Sequence, residues 1–533
     1  MALLKINPTE TKAWEKLNYH YLKLQYDRIQ DFFSYDDQRV KKMHIEWKDI
    51  LLDFSKNKIT DHTLKLLFEL ANEVELKKGI EAMFSGEIIN ETEKRAVAHV
   101  ALRDWNNQLQ LPFYQEVQEA LQKIKVFTEN ILSGTTKGST GKAFTDVVNI
   151  GIGGSDLGPK MVVESLQDYK THLHTHYISN IDYDAIKETL EKLNPETTLI
   201  IIVSKSFTTL ETLTNADAIK NWIVKANLKT EDHLIAVSSA IDKAVAYGID
   251  ADNIFRMWDW VGGRFSLWSA VGLSIALAVG YEHFIELLKG AQEMDEHFLR
   301  TPFQENIPVI LGLIGIWYAN FFGYETEAIV PYSNRLASLP AYLQQVIMES
   351  NGKNMSREGY LVDYQTCNIV WGEIGTNSQH AFFQLFHQGS KIIPTDFIGF
   401  INPFTPSEMH HQLMANFFAQ TEGLMNGKTG AYENTDNTDG LAKYRIFRGN
   451  RPTNTLLINK LTPKNIGSLL ALYEHKTFVQ GYIWNIYSFD QFGVEYGKQL
   501  AQSISNEIKN QKVGQHDAST SFLLEHYLKK QNR

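Results

Sequence analysis

One cysteine, Cys367, stands among 533 residues, so no disulfide can close within the chain and no thiolate cluster can hold a metal. A reducing compartment fits that scarcity. Long apolar runs are few. One charge-free stretch spans residues 265–281 and includes Ser266, Ser269 and Ser274. It sits at the lower limit of what crosses a bilayer and reads as a buried helix. The first residues carry no apolar stretch of the kind a secretory leader has, and the cytoplasm is the expected compartment. Positive charge is in deficit: 52 basic residues against 62 acidic ones give a net charge of −10. A general nucleic-acid binder would carry the opposite field. A small anion can still be drawn to a locally positive site. No HExxH pattern occurs among the 17 histidines. A hydride-transfer isomerase would need a divalent ion and grouped carboxylates, so neither a metal nor a cofactor is expected.

Material for packed interiors is ample, with 43% hydrophobic and 12% aromatic residues. This length exceeds one ordinary core, so two large domains are expected. The first hundred residues read as helical, for example over 14–33 and 63–76. Beyond a Gly- and Thr-rich loop at 133–141 the pattern changes to short β-branched runs separated by helical segments. Runs at 147–152, 176–178, 198–203, 233–237 and 253–257 form one set. Those at 327–331, 368–371, 391–396 and 455–459 form a second, with helix-like segments such as 307–322 and 341–349 between them. Buried parallel strands alternating with helices give two α/β domains.

Two glycine motifs mislead. Gly138-Ser139-Thr140-Gly141-Lys142-Ala143 resembles part of a nucleotide P-loop. That loop would need Gly at Thr136 and a hydroxyl at Ala143, and it should follow a strand, whereas this segment precedes one. Gly151-Ile152-Gly153-Gly154-Ser155-Asp156 begins like a dinucleotide fingerprint, but its third Gly is Asp156.

The same 151–158 segment keeps a physical meaning, because glycines between a strand and a helix expose N–H groups to an anion. Ser204-Lys205-Ser206-Phe207-Thr208-Thr209 also follows a β-branched run, with four hydroxyls and a lysine in six residues. A helix cap needs one or two hydroxyls, so phosphate is the expected ligand. The two loops follow neighbouring expected strands and are expected to meet on one anion.

These segments, taken together, resemble blocks of the phosphoglucose isomerase family. The first block is Asn149 through Gly153, Gly154, Ser155 and Asp156 to Pro159, and the phosphate loop follows at 204–209. Others are Gly262-Gly263-Arg264-Phe265-Ser266, Glu349-Ser350-Asn351-Gly352-Lys353, Gly372-Glu373 to Gln379-His380-Ala381-Phe382, Gly449-Asn450-Arg451-Pro452-Thr453-Asn454, and Ser488 through Gln491 to Gly497-Lys498. The likeness runs from about Glu91 to Thr520 with the blocks in order. It departs at Ser206, Leu210, Val346-Ile347, Ile374, Ser378 and Tyr487, where the family usually has Thr, Gln, Gly-Asp, Pro, Gly and Asn.

The resemblance implies two sugar-isomerase (SIS) type α/β domains with mainly parallel sheets flanked by helices, a helical N-terminal region and a C-terminal arm. The expected boundaries are 1–110 for the helical N-terminal part of the large domain, 111–280 for the small domain with the phosphate loops, 281–490 for the large domain, and 491–533 for the helical arm. It also implies a homodimer, a hexose 6-phosphate substrate, and reversible glucose 6-phosphate to fructose 6-phosphate isomerisation through a cis-enediol. Glu349 matches the family's base, and a carboxylate suits proton transfer if its pKa lies within reach of neutrality. Gln345, four residues earlier, shares its face if the helix extends that far, and can orient substrate hydroxyls. Arg264 is the cation for the developing enediolate. Preceded by two glycines and followed by an apolar helix, it sits at a helix N-terminus that disfavours it, so something else must hold it. His380 and Lys498 match the ring-opening pair, with His380 supplied by the partner and His387 the internal rival. Gln491, seven residues before Lys498, is expected on the same helix face. Gly154, Ser155, Ser204, Lys205, Ser206, Thr209 and Gly263 complete the expected substrate contacts.

Overall fold

A computed structural model describes residues 3–428 and 442–531. The first two residues of the N-terminal reading and the last two of the arm lie outside the described residues. By its internal contacts the chain divides into two compact units, Met1–Ser488 and Phe489–Arg533.

The N-terminal region, expected to be helical throughout, also holds a hairpin of β1 (His44–Trp47) and β2 (Ile50–Asp53). Each strand is four residues long and the turn between them is tight, so helical periodicity on either side masks them. The expected helix at 14–33 is two helices, Lys12–Leu24 and Ile29–Tyr35.

The first α/β layer contains β3 (Asp146–Ile150), β4 (His174–Ile178), β5 (Thr198–Val203), β6 (Leu234–Ser238) and β7 (Ile254–Arg256). All neighbours are parallel, in the order β4-β3-β5-β6-β7. Residues of β5 and β6 are buried on both faces, which is why both read as unbroken apolar runs. Val148, Ile150, Ile200 and Ile202 pack with Ile219 and Ile223 of the helix Leu210–Lys225. Each such side chain contributes about 1.5–3 kcal/mol by leaving water.

The second sheet contains β8 (Thr326–Pro331), β9 (Ile369–Gly372), β10 (Thr395–Asn402) and β11 (Thr453–Lys460). These four are parallel, and β2 adds antiparallel to β11, giving the order β1-β2-β11-β10-β8-β9. The expectation of mainly parallel sheets flanked by helices holds. The strand expected at 391–396 starts later and runs to Asn402.

The stretch expected to be one buried helix at 265–281 is buried but broken. A 3₁₀ turn, Gly263–Trp268, and a second, Ala270–Gly272, precede the helix Leu273–Val279. Ser269 is extended between them, and its Oγ accepts from Val271 N. A central helix, Pro463–Ile483, carries buried polar side chains. Arg103 donates to both oxygens of Asp295 at 2.7 and 2.6 Å and to Glu474 Oε2 at 2.6 Å. Glu474 Oε1 accepts from Trp268 Nε1 at 2.8 Å and so pins the end of the turn that carries Arg264. Among the described residues no helix is long and apolar enough to cross a membrane.

Candidate active site

In chain order the strands of the first sheet run second, first, third, fourth, fifth across the layer. The order reverses between β3 and β5, and ligands bind outside the carboxyl ends of strands at such a point. The Gly151–Ser155 segment leaves β3 and Ser204–Thr209 leaves β5, so the two loops flank this point on one end of a parallel pair.

Ser204 is buried, and its Oγ lies 3.2 Å from Thr209 Oγ1. Exposed Ser206 pairs with Thr208, Oγ to Oγ1 at 2.7 Å. Thr209 occupies the cap position of Leu210–Lys225 yet makes no side-chain cap bond. Helix capping therefore does not account for these hydroxyls. Lys205 points sideways, with Nζ donating to Val261 O at 3.1 Å and Asp259 O at 3.3 Å. Burial, first, and the nearby Arg95 hold its ammonium below the usual lysine range. Asp259 and Val261, which the sequence reading missed, tie the hydroxyl loop to the segment that becomes Gly262-Gly263-Arg264.

The glycines are required by contact. Gly153 has φ +61°, and a Cβ there would lie 3.0 Å from Gln345 Nε2. A Cβ on Gly154 would meet Gly263 O at 2.0 Å, so the two loops touch backbone to backbone. Gly263 itself faces open space: apart from its chain neighbours, no atom of the described residues lies within 4 Å of where its Cβ would stand. Asn149 Nδ2 holds Ser155 O at 3.0 Å, and the Ser155 hydroxyl makes no hydrogen bond among the described residues.

Arg264 is buried and held as its place at a turn's N-terminal end requires. Nε donates to Ser350 Oγ at 2.7 Å and Nη2 to Ser488 O at 2.5 Å. Nη1 lies 3.7 Å from Glu349 Oε2. That oxygen is buried and accepts no hydrogen bond among the described residues. Glu349 ends a π turn, Gln345–Glu349, that follows the helix Leu339–Gln344. Such turns are frequent at functional sites. Gln345 and Glu349 open and close it, which keeps both on the side of the Gly153 loop. Val346 and Ile347 between them are buried in the core. Lys353 Nζ donates to the carbonyls of Glu349 and Ser350, both at 2.9 Å, and secures the turn's end. Asn351 bonds Thr477 O and accepts from Ser488 Oγ, so the central helix underpins both supports of Arg264.

The structure thus brings together Gly154, Gly263, Arg264, Gln345 and Glu349, with Ser155 in the adjoining turn and Ser204, Lys205, Ser206 and Thr209 on the neighbouring loop. Ser350 and the Ser488 carbonyl are the contributors that sequence reasoning missed. His380 is exposed on the short helix Asn377–Ala381 and makes no hydrogen bond among the described residues. Its rival His387 is engaged instead, with Nε2 2.8 Å from Gln420 Oε1. Lys498 is exposed on the helix Glu495–Asn510 of the second unit. Gln491 does not share that helix as expected. It is the cap of a short turn, Phe492–Val494, with non-helical backbone at φ −155°, because the helix starts only at Glu495.

Fold and site together define a doubly wound α/β protein with two loops at a strand-order switch point beside a buried carboxylate–guanidinium pair. A sequence profile described as phosphoglucose isomerase matches residues 53–524. A glucose-6-phosphate isomerase of Christiangramia forsetii is 55% identical over 542 residues, covering 98% of this chain and 99% of that one. The crystal structure of a glucose-6-phosphate isomerase from Chlamydia trachomatis superposes with a TM-score of 0.87 at 33% identity, covering 98% of this chain and all of that one. A hypothetical protein from Thermus thermophilus shares the fold, with a TM-score of 0.59 at 24% identity over 83% of this chain and 95% of that one. The chain belongs to the phosphoglucose isomerase family.

Proposed function

We propose that this protein interconverts glucose 6-phosphate and fructose 6-phosphate in the cytoplasm, as a step of glycolysis and gluconeogenesis. One observation carries the reading: a buried Glu349 oxygen without a hydrogen-bond partner lies 3.7 Å from Arg264 Nη1, beside the bare backbone of Gly263. An unsatisfied carboxylate oxygen costs free energy unless a ligand uses it. The C–H next to a substrate carbonyl is what a base in that position takes.

In this mechanism the phosphate sits on Ser204, Ser206 and Thr209 with Lys205 and the Gly154–Ser155 backbone, which fixes the distance from the anion to carbons 1 and 2. Glu349 removes the proton from carbon 2 of the open-chain aldose. The C–H electron pair forms the C1–C2 double bond of a cis-enediol, and the carbonyl electrons move onto oxygen 1. Arg264 stabilises that oxygen's developing charge more than the neutral carbonyl. The proton on oxygen 2 passes to oxygen 1, and the oxygen 2 electrons form the new carbonyl at carbon 2. The C1–C2 double-bond electrons take the proton back from Glu349 at carbon 1, while Gln345 orients the hydroxyls. Ring opening is assigned to His380 and Lys498, with Gln491 as a further substrate contact. We assign the chain to a homodimer in which His380 of the partner subunit serves this site. His380's exposure on its helix supports that assignment.

The test is conversion of fructose 6-phosphate to glucose 6-phosphate by purified protein with a chelator present, wild type against Glu349→Gln. The wild type should be active and the variant should lose about 10³-fold in kcat while still binding substrate. In deuterated water the product aldose should carry label at carbon 2. A fully active variant would show that another carboxylate is the base. An inactive wild type that binds the sugar phosphate would make this a sensor.

A further inference from the structure

The second sheet repeats the connectivity of the first. Its parallel strands lie as β9-β8-β10-β11, which is second, first, third, fourth in chain order, as in β4-β3-β5-β6. A second reversal point therefore falls between β8 and β10, and the isomerisation makes no use of it. A pocket of about 490 Å³ opens there. That volume lies within the range of small-molecule sites.

Its walls come from the segments that leave the strands, as a switch-point site requires. Ser333 and Arg335 follow β8, Phe404 and Thr405 follow β10, and Lys460 ends β11. It shares no lining residue with the Glu349 site. Among the described residues Asp168 is the one carboxylate in the wall, and it takes Arg335 Nη2 at 2.9 Å. The other N–H groups of that guanidinium make no hydrogen bond among the described residues. Lys460 is half-buried with Nζ 4.7 Å from the Phe404 ring centre, and no carboxylate lies within ion-pair reach of it among the described residues. Two cations thus face one anion, in a chain whose net charge is −10. Such a local inversion of sign selects an anionic ligand. A guanidinium fork and an ammonium suit phosphate oxygens. Ser333 Oγ accepts from Arg335 N, which leaves its proton to donate, and Thr405 adds a second hydroxyl. Lys460 already covers the Phe404 face, so a stacked nucleobase has no platform.

We propose that this pocket is a second binding site for a small phosphorylated polyol, one per chain, in addition to the substrate site.

Equilibrium dialysis with glucitol 6-phosphate, which has no carbonyl to isomerise, tests it. The wild type should bind two per chain. Lys460→Glu should bind one, and Arg335→Gln, at an exposed position, should weaken the second site at least 10-fold if Lys460→Glu does not fold. Lys205→Ala with Thr209→Ala should lose the other site and keep this one. Unphosphorylated glucitol should not occupy the pocket. One site per chain in the wild type, lost in the Lys205/Thr209 variant, would overturn the pocket and leave the substrate reading standing. Two sites retained in both pocket variants, or equal filling by glucitol, would also overturn it.

Discussion

At the scale of single residues, Arg264 depends on neighbours that do no chemistry. A buried guanidinium is tolerable only where its donors are met. Ser350 Oγ and Ser488 O meet two of them, and this aims Nη1 at Glu349. Removing the hydroxyl deletes a charge-assisted hydrogen bond of about 1.5–3 kcal/mol. Ser350→Ala should therefore lower kcat about 10- to 100-fold and leave KM within about twofold, since substrate binding in the ground state needs no fixed Arg264. A parallel rise in KM with unchanged kcat would contradict a positioning role. The sequence displayed Glu349, Gln345 and Arg264, because the family resemblance marks them. It hid Ser350's contribution, because the contact joins positions 86 residues apart and no local spacing encodes it.

At the scale of elements, the proposed mechanism gives the binding to two loops at the carboxyl ends of β3 and β5. Lys205→Ala with Thr209→Ala should raise KM by at least 10-fold and change kcat far less, because the loop holds the phosphate and not the reacting carbons. A steady-state assay showing unchanged KM would dismiss the loop. The helix that leaves the first loop begins beside Asp156, whose Oδ1 is buried without a partner. Burial, above all, pushes this carboxyl from 3.8 up to about 6. Between those values the folded chain holds a proton that the unfolded chain releases. The group's contribution to stability is thus full below about pH 4 and lost as pH rises through 6. Asp156→Asn should raise Tm at pH 7.5 on the order of 3 °C, and the gain should vanish toward pH 4. A gain that is constant with pH would mean the carboxyl titrates normally. Strands were legible here because β-branched runs buried on both faces, such as Thr198–Val203, leave no polar residue to blur them. The π turn at Gln345–Glu349 and the break at Ser269 were not, since each is set by packing that a helical apolar pattern does not distinguish.

The whole molecule carries a second pH sensitivity of opposite sign. His20 and His297 are each lowered to about 4, in both cases chiefly by burial. His297 accepts from Ile307 N through Nε2 at 3.1 Å, so it must stay neutral to keep that bond. A histidine with a lowered folded value contributes stability that is full above about 6.5 and lost as pH falls toward 4. His99 and His475, fully buried, are shifted the same way. The buried carboxyls of Asp156, Glu327 and Glu474, shifted up chiefly by burial, act the other way, and the four histidines outnumber them, so Tm should fall between pH 7 and pH 5. A flat or rising Tm by scanning calorimetry would contradict this.

The pairing of β2 with β11 has a bearing on how the chain is made. Asp53 stands opposite Thr455, so roughly 400 residues separate strands that lie side by side. A two-stranded hairpin alone is marginal in water. During synthesis at about 5–20 residues per second, β1 and β2 have no edge to join for some tens of seconds. The β3–β7 sheet, by contrast, is closed within about 110 residues of sequence and can form while the ribosome is still reading the rest. The nascent N-terminal hairpin therefore waits for most of the chain before its sheet edge exists, whereas the β3–β7 layer completes itself early.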